Sequence, residues 1–193
     1  MVALLKGKTL PTQTPNARQI ATNGHVEHNR YDNALSIRVS SGTGFGRTRL
    51  SAFDAALRAG GVADFNLIRL SSVIPPGSEV REVTPGNQLQ GGHGDALFCV
   101  YADAYASTPG EQAWAGIAWS QRDDGSGAGL FVEHHGSTEL LVRHDLATSL
   151  ADLSGGRGGL YHPAGSVVTS ATCVDHPVAA VVVAAYRCTS WEL

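Results

Sequence analysis

The sequence lacks most of the signatures by which catalysis is usually announced. There is no G-x-S-x-G elbow, which leaves a Ser/His/Asp hydrolase without support. Neither H-E-x-x-H nor C-x-x-C occurs, and the adjacent His134 and His135 would point to opposite faces of a strand. The eight histidines therefore suggest no metal site, and no metal is expected. Cysteines number only three, Cys99, Cys173 and Cys188. The count is odd and each lies in an apolar run, which fits buried thiols in a reducing compartment better than a disulfide framework. Net charge is only −3 and no basic stripe appears, so nucleic acid is not an expected partner. The longest apolar run, 178–186, is far short of a membrane span. Val2-Ala3-Leu4-Leu5 before Lys6 is too short for a signal-peptide core. There is no internal repeat and no heptad pattern. A soluble, cytoplasmic protein with no membrane association is the expectation.

What is present is an apolar fraction of 42%, which argues against disorder, and 23 glycines placed between short apolar runs. A chain of 193 residues is most simply one domain. Residues 1–33 are polar and read as an arm with no assigned role, and 34–193 as the domain. Leu35, Ile37 and Val39 alternate with Ser36, Arg38 and Ser40, the two-residue period of a half-buried strand. The glycines at 42, 44 and 46 then read as a flexible turn, because G-x-G alone does not specify a phosphate cradle. Residues 51–59 read as a short helix, with Ser51 as N-cap, Asp54 as its capping-box partner and Gly60-Gly61 as the stop. A strand is expected over 65–70 and a polar surface loop over 77–94. Apolar runs at 96–106, 112–120 and 130–134, joined by short turns, are expected to form three consecutive antiparallel strands. Trp114 and Trp119 in the second of these fit a core or an interface. The strongest helix signal is 137–153, where Val142, Leu146, Leu150 and Leu153 fall on one face between Ser137 and Gly155-Gly156. Further strands are expected over 166–171 and 178–186. Antiparallel strands with a few helices make an α+β sandwich.

One stretch stands apart. Asn66-Leu67-Ile68-Arg69-Leu70 reads as a strand and ends in Ser71-Ser72, with Pro75-Pro76 shortly after. Proline fixes its own φ and pushes the preceding residue toward extended geometry, so the serines are held between a strand and a stiff segment. Strain in such places tends to serve function. The Ser72 hydroxyl could attack the carbonyl of Ser71 and turn the amide into an ester. Elimination across Cα–Cβ of residue 72 would then cut the chain and leave a dehydroalanine that hydrolyses to a pyruvoyl group. Taken by itself, the stretch reads first as a strand end followed by a Ser- and Pro-bearing turn.

The run N-L-I-R-L-S-S-V-I-P-P resembles the self-cleavage segment of the pyruvoyl-dependent arginine decarboxylases. Two further blocks agree in order. Leu50-Ser51-Ala52-Phe53-Asp54-Ala55-Ala56-Leu57 resembles the family's substrate-binding helix, and Pro109-Gly110-Glu111 with Gly129-Leu130-Phe131-Val132-Glu133 its central strands and acidic catalytic residue. The similarity runs from about Ala34 to Arg187, densest near the serines. It implies a four-layer αββα sandwich, self-cleaved into two chains between Ser71 and Ser72, and a trimer with active sites between neighbours. It implies a pyruvoyl cofactor made from Ser72, and a small basic amino acid, arginine above all, as substrate.

On that resemblance each remaining candidate acquires a role. Glu133 would return a proton to the α-carbon after CO2 departs, and a carboxyl in an apolar strand has the raised pKa suited to it. Its face is ambiguous in the sequence, since Phe131 and Glu133 share one side and Leu130 and Val132 the other. Asn66 would hydrogen-bond the oxyanion formed during cleavage. Asp54 would hold the substrate guanidinium, although spacing alone favours the helix cap. Relatives can carry Tyr-Glu after the catalytic glutamate where this chain has His134-His135, and the loop 88–94 is its own. Both could border the site and shift the substrate to another basic amino acid. The competing reading is an uncleaved, non-catalytic relative that binds a small ligand.

Overall fold

The computed structural model describes residues 35–84 and 89–191, all within one compact unit, Tyr31–Leu193. The arm expected over 1–33 and part of the expected surface loop lie outside the described residues.

Two sheets stack face to face. The first has five strands in the order β2 (Asn66–Arg69), β5 (Ala96–Ala106), β9 (Val178–Thr189), β1 (Ser36–Phe45) and β4 (Glu79–Glu82). The second has four, in the order β3 (Val73–Ile74), β7 (Gly129–Gly136), β6 (Gln112–Arg122) and β8 (Tyr161–Thr172). Helix α1 (Arg49–Ala59) covers the outer face of the first sheet, and α2 (Glu139–Gly155) that of the second. This is the four-layer αββα sandwich that the resemblance implies.

The burial pattern follows from the layers. β9 lies between α1 and the second sheet, so both faces are covered and all of 178–186 is buried. A doubly covered strand loses its alternation and reads as a continuous apolar run. The inter-sheet core includes Ile37, Val39, Val100, Ile117, Trp119, Phe131, Val182 and Tyr186. Under α1 lie Ala52, Ala56, Leu97, Cys99, Val181 and Val183. Under α2 lie Val132, Val142, Leu146 and Leu150. Leu153 stays 43% exposed, outside the buried face that its spacing suggested.

Several expectations are corrected. The turn expected at 40–46 is the second half of β1. A Cβ on Gly42 would sit 2.2 Å from the Ala56 carbonyl oxygen, and one on Gly44 2.4 Å from the Ala56 nitrogen. These glycines let α1 lie directly on the strand, and their freedom at a turn is not used. Helix α1 starts earlier than expected: Thr48 is the N-cap and Ser51 its capping-box partner, with no acidic residue in the first turn. In α2 the N-cap is Thr138 where Ser137 was expected. The polar 77–94 stretch contributes β4, which pairs parallel with β1. Its Glu and Arg side chains suit an exposed edge.

The largest correction concerns the three consecutive strands. β6 and β7 pair antiparallel as expected. β5 belongs to the other sheet, where it pairs parallel with β2 and antiparallel with β9. The five-residue link between β5 and β6 therefore carries the chain between layers. A short link has the same sequence signature whether it folds a strand back in its own sheet or across to the next.

Candidate active site

Strand β2 lies at the edge of the first sheet and stops at Arg69, while Leu70 still donates its N–H to Cys99 O at 2.9 Å. Strand β3 begins at Val73 in the other sheet, pairing Val73 with Leu130 and Ile74 with Gly129 of β7. Ser71 and Ser72 are thus the crossing from one layer to the other, pulled into one ladder on each side. Ser71 is exposed and Ser72 half-buried. Ser72 has φ +64°, and it is the one non-glycine residue with positive φ among the described residues. For an L-residue without special stabilisation such a conformation costs about 1–3 kcal/mol. The strain expected at this bond is present at residue 72.

Three contacts hold the strained residue. The Ser72 hydroxyl donates to Glu133 Oε1 at 2.7 Å. The Ser72 carbonyl accepts the Phe131 N–H at 2.8 Å. The Val73 carbonyl accepts the Tyr186 hydroxyl at 3.1 Å. Glu133 is on β7 opposite Ile117 of β6, and it shares a face with Phe131, which lies in the inter-sheet core. That settles its ambiguity: Glu133 points inward between the sheets, toward Ser72. Burial raises its pKa, and the Ser72 hydroxyl, the Arg69 guanidinium and His134 oppose the rise. A carboxyl so placed holds its proton more readily than an exposed one, as suits a group that exchanges protons in a reaction.

Other expected site residues lie elsewhere. The Asn66 side-chain amide donates to Gly94 O at 2.6 Å, and its backbone N–H to Asp95 O. Strand β2 separates it from Ser71 by five residues, roughly 15 Å at strand rise. The structure does not bring the expected oxyanion donor to the scissile bond; Asn66 fastens the loop that leads into β5. Asp54 is no part of the helix cap. It sits on the exposed side of α1 and pairs with Arg58 one turn on. Among the described residues its polar partner is Arg58, not Ser72 or Glu133. His134 turns away from the site and meets Ser149 of α2 at 2.8 Å. His135 is exposed and lines an open cleft of about 800 Å³ with Arg49, Asp103, Tyr105 and Glu111.

Two residues of the site, Tyr186 and Arg69, were not singled out from the sequence. Tyr186 is 8% exposed, and its ring meets Phe131 edge-on at 5.9 Å between centroids. Burial raises its pKa, as do the nearby charges of Glu133 and Cys99. Arg69 stacks on the Tyr101 ring at 4.7 Å and donates to Tyr101 O at 2.9 Å. Tyr186 was hidden as the last member of an apolar run, and Arg69 as the polar position of a short strand. An apolar run that ends in a tyrosine is a usable hint, since a buried phenol needs a partner.

The thiols are free, Cys99 and Cys173 buried and Cys188 half-buried. Burial pushes Cys99 up to about 11, so it is inert at neutral pH. No helix of the described residues is long and apolar enough to cross a membrane.

Comparison with known proteins gives a consistent result. The model of the family described as pyruvoyl-dependent arginine decarboxylase matches residues 36–186. A pyruvoyl-dependent arginine decarboxylase of Halobacterium salinarum is 43% identical over 97 residues, covering 50% of this chain and 58% of the relative. One from Picrophilus torridus is 35% identical over 100 residues, 51% of this chain and 54% of the relative. One from Methanocaldococcus jannaschii is 34% identical over 101 residues, 52% and 58%. The chain spans little more than half the length of the curated relatives it matches.

Proposed function

The chain belongs to the pyruvoyl-dependent arginine decarboxylase family, and from that premise we propose that it cuts itself between Ser71 and Ser72 and decarboxylates arginine to agmatine and CO2. The observation that carries the proposal is the 2.7 Å contact between the Ser72 hydroxyl and Glu133, made by a serine at φ +64° on the crossing between the two sheets. A serine that served only as a turn would be relieved by glycine at this φ.

Glu133 takes the Ser72 hydroxyl proton as Oγ attacks the Ser71 carbonyl carbon. The C–N bond breaks, the nitrogen is protonated, and an ester joins Ser71 to the residue 72 oxygen. Loss of the residue 72 Cα proton to a base then forms the Cα=Cβ double bond. The Cβ–O bond breaks with its electron pair, and Ser71 leaves as a carboxylate. Water replaces the nitrogen of the dehydroalanine, ammonia departs, and a pyruvoyl group is left ahead of Val73. That group supplies an electron sink for the carbanion formed when CO2 leaves. Ser72 fits its precursor, with a half-buried hydroxyl already in contact with an acid.

Once the chain is cut, Glu133 is freed from the serine hydroxyl. Its burial keeps it protonated to a higher pH than an ordinary carboxyl, which suits it to hand a proton to the substrate α-carbon. Asp54 would receive the substrate guanidinium. Its pair with Arg58 is exposed on both sides, and such pairs are worth only about 0.3–0.5 kcal/mol, so a substrate can displace Arg58. Within one protomer Asp54 pairs with Arg58 and Ser72 with Glu133, which supports a site shared between neighbours in a trimer. The three free thiols support a reducing, cytoplasmic setting. The test is steady-state release of CO2 from arginine, lysine and ornithine by fully processed protein. Preference for arginine is expected. Preference for lysine or ornithine would keep the chemistry and discard the substrate, and no release from any of them by cleaved protein would discard the activity.

A further inference from the structure

We infer that Tyr186 is a positioning residue for self-cleavage, acting on the elimination step by holding the residues that follow the scissile bond. The inference rests on the proposed self-cleavage, and it concerns a residue that neither the motif nor the family match singles out.

The geometry is a short chain of contacts. The Tyr186 hydroxyl donates to the Val73 carbonyl at 3.1 Å, across 113 residues of sequence. The Tyr186 ring packs edge-on against Phe131. The backbone N–H of Phe131 in turn donates to the Ser72 carbonyl at 2.8 Å. β3 is only two residues long. Two ladder positions offer little resistance to a strained neighbour, so the hydroxyl from β9 supplies the hold that the short strand cannot. With Val73 fixed, the Ser72 carbonyl stays on the Phe131 N–H.

That last contact has a chemical consequence. When the residue 72 Cα proton is lost, the electron pair passes toward the carbonyl of residue 72 before the Cβ–O bond breaks. A donor aimed at that oxygen stabilises the developing charge. Attack by Ser72 Oγ on Ser71 places charge on a different oxygen, that of residue 71. Removing the Tyr186 hydroxyl should therefore slow the second step more than the first, and the ester should accumulate. A residue that merely stabilised the fold would slow both steps alike or neither.

The experiment follows cleavage of newly made wild-type and Tyr186→Phe protein by intact mass, with and without hydroxylamine, which cuts the ester but not the amide. Val182→Ala is the control. It lies four residues away on the same strand in the same core, roughly 13 Å at strand rise, and tests loss of packing without loss of the hydroxyl. The expected result is a Tyr186→Phe chain that cleaves about tenfold more slowly, as for one lost neutral hydrogen bond, and that shows a hydroxylamine-labile population absent from wild type and Val182→Ala. Cleavage of Tyr186→Phe at the wild-type rate, or equal slowing of both variants with no labile ester, would overturn the inference. A wild type that never cleaves would overturn the proposed function itself, a result distinguishable because it appears before any variant is compared.

Discussion

Two links carry the chain from the five-stranded sheet to the four-stranded one, and they differ in a telling way. The β5–β6 link needs a positive φ and puts it on a glycine, Gly110 at +88°. The β2–β3 link, Leu70-Ser71-Ser72, puts it on a serine at +64°. The first takes the relaxed solution available to any chain. The second keeps a penalty that glycine would remove, and it does so where the side chain reaches Glu133. The same topological task is solved once for stability and once for the sake of a hydroxyl.

The largest effect is expected from Ser72→Ala, which keeps the crossing but removes the nucleophile. No cut between residues 71 and 72 should appear on prolonged incubation, and a cut at the same bond would point to an external protease. Next is Glu133→Gln, expected to fold normally, to cleave more slowly because the acceptor of the Ser72 proton is lost, and, in whatever fraction is processed, to lose about 10²- to 10⁴-fold in turnover. Near-normal kcat in a fully processed sample would return Glu133 to an ordinary strand residue. Asp54→Asn tests a charge on α1, outside both links. If Asp54 grips the guanidinium, kcat/KM should fall about 30- to several-thousand-fold, the equivalent of about 2–5 kcal/mol, with cleavage intact. An unchanged kcat/KM would leave Asp54 as a surface partner of Arg58.

A smaller effect concerns pH. Burial raises the Glu133 pKa, and Arg69 opposes the rise. As a proton donor in turnover, Glu133 must be protonated, so activity should fall as pH rises through its pKa. As a proton acceptor in cleavage it must be ionised, so cleavage should rise through the same value. Arg69→Gln should raise the pKa and move both limbs to higher pH. Movement of one limb alone would mean that Glu133 does not serve both steps. The smallest effect isolates the strain. Ser72→Gly should be more stable than Ser72→Ala by about 1 kcal/mol, since both lose the hydroxyl and only glycine relieves the left-handed backbone. Gly110→Ala should cost about as much at the other link. Equal thermal unfolding of Ser72→Gly and Ser72→Ala would remove strain from the account.

The parts of this site that were legible in the sequence are those carried by contiguous residues. Ser71-Ser72 and Glu133 could be named because the contiguous runs around them resemble segments of a known family, although the serines read by themselves as a turn. Long-range pairing was not legible. Asn66 looked like an oxyanion donor because it starts the same strand, yet its amide is taken by Gly94, a loop 28 residues on. Tyr186 meets Val73 only after β9 is threaded between α1 and the second sheet. Gly42 and Gly44 looked like a turn because close approach of a helix leaves no mark in the sequence but the missing side chain. The β5–β6 link was misassigned for a related reason, since its residues describe a turn and not the layer in which the next strand lands.

If the strained serine exists in order to be consumed, an intact-mass spectrum of the purified wild-type protein will show it. Two fragments are expected, one ending at Ser71 with a free carboxylate and one beginning with a carbonyl-bearing residue ahead of Val73 that resists amino-terminal sequencing. A single uncut chain with the mass of the full sequence, or a second fragment that begins with an ordinary serine, would contradict it.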